Sequence, residues 1–207
     1  MPSPFLDMRA LGQNRTMVAV LVEQVAVQGV FYAVFFGLPM WLERVRLFPP
    51  ATTGLLMQPI AALGVVATPV AARLAGSVGA WLPLLIGSVG LVAGCGALLL
   101  VNGTTSVIGI VAVTAVLGLP NGFNNIGLQS ALYRSASADN AGVAAGLFQT
   151  GRYIGAISSA ALLGIVFARD VSTATLHHVA AITGVVAVLL LVAAGLGVRG
   201  SRRSCAL

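Results

Sequence analysis

The chain has 207 residues, 58% of them hydrophobic and 8% charged, with a net charge of +6 and a mean hydropathy of +0.99. So apolar a composition excludes an ordinary water-facing surface and reads as an integral membrane protein. The positive charge is then read as membrane topology, not as a nucleic-acid surface.

Residues 1–15, MPSPFLDMRALGQNR, lack the basic start and short apolar core of a secretory signal and read as a cytoplasmic linker. A hydrocarbon core of roughly 30 Å needs about 20 helical residues to cross it. Six segments meet that need, at about 16–41, 54–72, 81–101, 106–132, 142–168 and 176–198. They form a bundle over residues 16–198, and residues 199–207 make a basic cytoplasmic tail.

The first span carries Glu23, Gln24 and Gln28 in its first half, then turns apolar and aromatic with Phe31, Tyr32, Phe35, Phe36 and Trp41. These rings are read as lipid and interface anchors more than as a drug-stacking cage, though a multidrug cavity would use such side chains. The second span holds Gln58, Pro59 and Pro69, where kinks are expected. The stretch RLAGSVG at 73–79 reads as a tight turn, and the third span has no charge and no amide. In the fourth span Asn121, Asn125 and Gln129 stand at i, i+4 and i+8 with Asn124 beside them, which on a helix gives one wet or hydrogen-bonded face. The fifth carries Gln149 and Arg152 at i, i+3. The glycine pairs Gly118/Gly122, Gly142/Gly146 and Gly151/Gly155 are expected to be helix-packing surfaces. At the start of the sixth span, His177 and His178 point about 100° apart on a helix and have no evident third ligand, so no metal is expected.

Counted helix by helix, polar side chains rise and fall twice. Spans one and four hold most of the amides and acid, two and five hold fewer, and three and six hold none in their apolar cores. A period of three helices is what two three-helix repeats give if the first helix of each lines an aqueous cavity, the second packs beside it and the third faces lipid. The predicted fold is an all-α membrane protein of six transmembrane helices in a 3+3 repeat. Arg9, Arg15, Arg73, Arg134, Arg199, Arg202 and Arg203 fall on the side of the termini and Arg44, Arg46 and Arg169 on the other. That asymmetry predicts a multi-pass protein of the cell membrane with both termini cytoplasmic.

Three stretches carry a family resemblance. PFLDMRALGQNRTM resembles the linker entering the second half of major facilitator transporters, RLAGSVGAWLPLLIGS their loop between the second and third helices of a half, and GVAAGLFQTGRYIGAISSA their fifth helix. The chain is similar to the C-terminal six-helix half of the multidrug proton antiporters with fourteen spans. The resemblance implies half of a major facilitator fold, and a proton-coupled efflux transporter for small amphipathic compounds once an N-terminal six-helix bundle or a second copy completes it. It also implies that the family's coupling carboxylates lie in the missing half. Gly76 and Ser77 stand where the family loop often carries an acid and a base, which puts that charged gating contact in doubt.

The candidate substrate and proton pathway comprises Glu23, Gln24, Gln28, Asn121, Asn124, Asn125, Gln129, Gln149 and Arg152. Glu23 is read as a coupling carboxylate or as an acid reaching interfacial water. Arg152 is read as a cavity cation, binding an anion or pairing with Glu23, or as a structural group bonded to carbonyls or amides at the cytoplasmic end of the bundle. The amides line the path or bond across helix contacts. No spaced carboxylate pair, Ser/His arrangement or metal cluster suggests an enzyme. No cofactor and no nucleic acid is expected; the partners are the lipid bilayer, a small-molecule substrate and the second bundle. A non-transporting remnant, a mis-started fragment and a membrane assembly subunit remain as alternatives.

Overall fold

The computed structural model describes residues 14–135 and 141–204, with side chains described as far as residue 196. Its helices are α1 (Arg15–Arg44), α2 (Pro50–Ser77), α3 (Trp81–Leu99), α4 (Val107–Ser135), α5 (Ala141–Val166) and α6 (Thr173–Ser204). The architecture is all-α, and α1 to α4 and α6 (over Thr173–Leu196) are long and apolar enough to cross a membrane. α5 carries Gln149, Thr150 and Arg152 in its first half.

Local chemistry sets the helix ends. The Asn14 side chain accepts from Met17 N at 3.2 Å, capping α1. Pro50 opens α2 at a position whose missing N–H is no loss. The expected turn at 73–79 is shorter than the sequence suggested, because α2 runs on to Ser77. Gly79, at φ +102°, makes the reversal into α3, a conformation open to glycine and costly to other residues. α2 and α4 continue through Pro59, Pro69 and Pro120.

The packing is a repeat of three helices about an approximate two-fold. The most extensive contacts pair α2 with α4, α1 with α5, α3 with α4 and α3 with α6, and those of α6 against α1 and α1 against α4 are well below them. Each pair maps onto its mate when helices 1, 2, 3 are exchanged with 4, 5, 6. α3 against α6 and α1 against α4 map onto themselves, whereas neighbours inside one repeat touch little. This is the 3+3 arrangement expected from the polarity pattern.

Small residues let these pairs approach. Side chains of α4 fill the notches of the α3 glycines: Asn124 lies on Gly87, Pro120 on Gly90 and Leu117 on Gly94. A Cβ on Gly118 would stand 2.6 Å from Ile60 O, and one on Gly122 would stand 2.7 Å from Gly64 O, so backbones touch along the α2/α4 seam. On the α1/α5 seam a Cβ on Gly155 would stand 2.7 Å from Val25 O, and one on Gly151 3.5 Å from Gln24. Gly142 and Gly146 differ from the expectation: among the described residues nothing lies within 4 Å of a Cβ there, since both face outward from α5.

Hydrogen bonds lace both ends of the bundle. At the end where α1 begins, Asn14 Nδ2 donates to Ser135 O at 2.9 Å. At the far end Trp41 Nε1 donates to Thr173 Oγ1 at 3.2 Å, Arg46 Nη1 to Thr105 O at 2.6 Å, and His177 Nε2 lies 2.7 Å from Val101 O. Trp41 is fully buried, so it is a core residue and not an interface anchor.

Candidate functional site: a polar cleft across four helices

A cleft of about 400 Å³ opens on the side of the bundle, lined by α1, α2, α4 and α5. These are the first and second helices of each repeat. α3 and α6 contribute nothing to its lining; they bound a separate, almost wholly apolar groove of about 420 Å³ between Val92, Leu99, Val185 and Val188. The division follows the sequence, since α3 and the apolar stretch of α6 over 176–198 carry no carboxylate, arginine or amide.

One wall of the cleft is aromatic, with Phe31, Tyr32 and Phe35 from α1. Phe31 stacks on Phe35 at 5.5 Å between centroids and meets Tyr32 edge-on at 5.3 Å. These rings were expected at lipid; three of them face the cleft because positions 31, 32 and 35 fall on one side of α1. The opposite wall is α2, through Ile60, Gly64, Val65 and Thr68. Asn121 and Asn125 of α4 and Arg152 of α5 supply polarity between them.

Arg152 is half-buried, and its Nε donates to Tyr32 Oη at 3.3 Å. It makes no ion pair with Glu23 or any other described residue. The structure therefore favours neither the Glu23 pair nor bonding to backbone carbonyls. It lies about 16 Å along the helix from Ala141, where even translocon scales charge about 2.5 to 3.5 kcal/mol for a central arginine. One hydrogen bond to a phenol, at about 1.5 to 3 kcal/mol for a charged donor, offsets part of that.

Asn121 and Asn125 thus share the cleft with Arg152, and the remaining candidates lie elsewhere. Asn124 is turned by about 100° from Asn125 and is fully buried against α3. Gln24 and Gln28 are also fully buried, beneath the α5 glycines. None of the side-chain amide atoms of Gln24, Gln28 or Asn124, nor Asn121 Oδ1, has a hydrogen-bond partner among the described residues. Burying such groups dry costs about 1 to 3 kcal/mol each. Glu23 and Gln129 are half-buried and Gln149 is exposed on α5, all outside the cleft lining. Sequence reasoning missed Tyr32 as the partner of Arg152. The signal present was a hydroxyl in an otherwise apolar run, four residues from Gln28 and on its face.

With this geometry described, comparison with known proteins gives the class. The profile of the Major Facilitator Superfamily matches residues 2–160. The chain belongs to this superfamily, whose members are membrane transport proteins and not enzymes. It is 30% identical over 171 residues to an uncharacterized MFS-type transporter, YwoD, of Bacillus subtilis, a match covering 83% of this chain and 38% of that protein. It is 28% identical over 152 residues to the multidrug resistance protein Stp of Mycobacterium tuberculosis, covering 72% of this chain and 28% of that protein. The chain thus spans well under half the length of these curated relatives.

Proposed function

We propose that the chain is the C-terminal six-helix half of a proton-coupled efflux transporter for small amphipathic compounds, of the multidrug antiporter kind with fourteen spans. It sits in the cell membrane with both termini cytoplasmic. It works against an N-terminal six-helix bundle or a second copy, and rocking of the two alternates access to the cavity between them. The observation that carries this is the side-opening cleft in which an aromatic wall meets Asn121, Asn125 and Arg152 inside the membrane-spanning part of the bundle. A surface so polar at that depth is stable only when it lines an aqueous or ligand-filled space. Similarity to a multidrug resistance protein supports the substrate class.

Glu23 is the candidate coupling acid of this half. It lies about 12 Å along α1 from Arg15, half-buried and without a hydrogen-bond or ion-pair partner among the described residues. The test is proton-linked uptake in vesicles holding the native protein. Glu23→Gln is expected to abolish coupling and leave expression intact; unchanged coupling removes Glu23 from the pathway.

A second reading is a non-transporting remnant, a mis-started fragment or an assembly subunit of the same superfamily. An antibody against residues 199–207 separates the two in native membranes. A product about twice the 21.0 kDa of this chain or larger supports the two-bundle transporter. A product of 21.0 kDa, with no transport of any substrate when it is reconstituted, supports the remnant.

A further inference from the structure

We infer that the cleft takes an amphiphilic organic anion, and that the seam between α1 and α5 carries it from the cleft to the far end of the bundle. The inference rests on the transporter reading and assigns its substrate charge and route.

The charged group lining the cleft is Arg152, and no carboxylate lines it. Only Nε of the guanidinium is engaged among the described residues, by Tyr32, so the remaining N–H donors are free to hold a carboxylate or sulfonate. Asn121 Oδ1 is buried and without a partner among the described residues, an acceptor that a turn of its side chain into the cleft would offer to a ligand N–H or O–H. The rings of Phe31 and Tyr32 would attract a cation, by about thirtyfold or more where it is desolvated. Arg152 stands at the same wall, however, and repulsion between like charges in a medium of low dielectric opposes any such gain. What the wall and the arginine bind together is an aromatic or alkyl body with a negative head.

From Tyr32 a row of side chains at four-residue spacing, Tyr32, Phe36, Met40 and Arg44, runs along one face of α1 for about 18 Å. Tyr32 stacks on Phe36 at 5.5 Å and 22°. Beyond Phe36 an apolar groove of about 360 Å³ follows the seam to Met40 and Phe167. Its floor stays open at Gly164, where a Cβ would meet nothing within 4 Å. The same Met40 and Phe167 border a mouth of about 500 Å³ that holds Arg44, Arg169 and Asp170. Neither arginine has an ion-pair partner among the described residues, so the mouth is net positive despite Asp170. A cation at each end with an apolar path between them matches an amphiphilic anion that leaves Arg152 head first and is received at Arg44 and Arg169.

The test uses the complete native protein and two probes with the same ring system and opposite charge, pyrenebutyrate and pyrenebutyltrimethylammonium. Binding is read in detergent and transport in proteoliposomes. Pyrenebutyrate is expected to bind about tenfold or more tightly than the cation, and Arg152→Gln is expected to remove the preference. The double variant Arg44→Gln, Arg169→Gln is expected to keep binding within about twofold and to slow transport several-fold, with lysine at both positions restoring it. Equal affinity for the probes, or preference for the cation, overturns the inference while transport of either leaves the transporter reading intact. Preferential binding of the anion without transport of any compound supports the site and sinks the transporter reading. Unchanged transport in the Arg44, Arg169 double variant overturns the route.

Discussion

The two long seams of the bundle, α2/α4 and α1/α5, are built on one frame and carry different chemistry. In both, glycines bring backbone against backbone, through Gly118 and Gly122 on one seam and Gly155 on the other. The buried residues of α2 are Thr53, Leu56, Met57, Ile60, Ala67 and Ala71, with no amide or charge among them. The α1/α5 seam buries Gln24 and Gln28, joins Arg152 to Tyr32, and continues outward along Phe36 and Met40. A repeat fixes where helices cross without fixing what they present, so one copy of the crossing is free to hold the polar groups that transport needs.

The largest expected effect tests the shared frame. Gly118→Leu and Gly155→Leu each drive a side chain into backbone atoms that would lie 2.6 and 2.7 Å from its Cβ. Each is expected to destabilise by about 1 to 3 kcal/mol or more, read as loss of a monodisperse peak after thermal challenge in detergent. Tolerance at one seam alone would show that the two are not equivalent frames. The chemical difference is sharpened by Gln24→Leu with Gln28→Leu. If these amides are buried dry between transport steps, the double variant gains about 1 to 3 kcal/mol while transport falls; a lower melting temperature would mean that the amides are bonded.

How much of this was legible in the sequence depends on the scale of the question. Helix number and the period of three were legible because polar side chains inside lipid are expensive, so their distribution over spans reports which helices see water. Which of those side chains reach a common space was not. Asn121, Asn124 and Asn125 look alike in sequence, yet a turn of about 100° per residue sends Asn124 into the α3 glycine notches and the other two to the cleft. Phe31, Tyr32 and Phe35 look like lipid anchors, and only the crossing of α1 with α5 turns them inward. Gly142 and Gly146 have the spacing of a contact motif, but spacing does not reveal whether a helix lies opposite.

Smaller effects complete the comparison. Trp41→Phe removes the hydrogen bond to Thr173 at the far end of α1 and is expected to cost about 1 kcal/mol, read as a shift in melting temperature; no shift would mean that the bond adds nothing to the lacing. Gly142→Ala and Gly146→Ala meet open space on the same helix as Gly155. They are expected to be neutral or to stabilise α5 by up to about 1 kcal/mol. Clear destabilisation there would reveal a neighbour packed on that face.

The bonds from Asn14 to Ser135 at one end, and from Trp41, Arg46 and His177 to opposing loops at the other, give the bundle the mechanics of a beam clamped at both ends. Sliding one helix past another would have to break such ties at both ends.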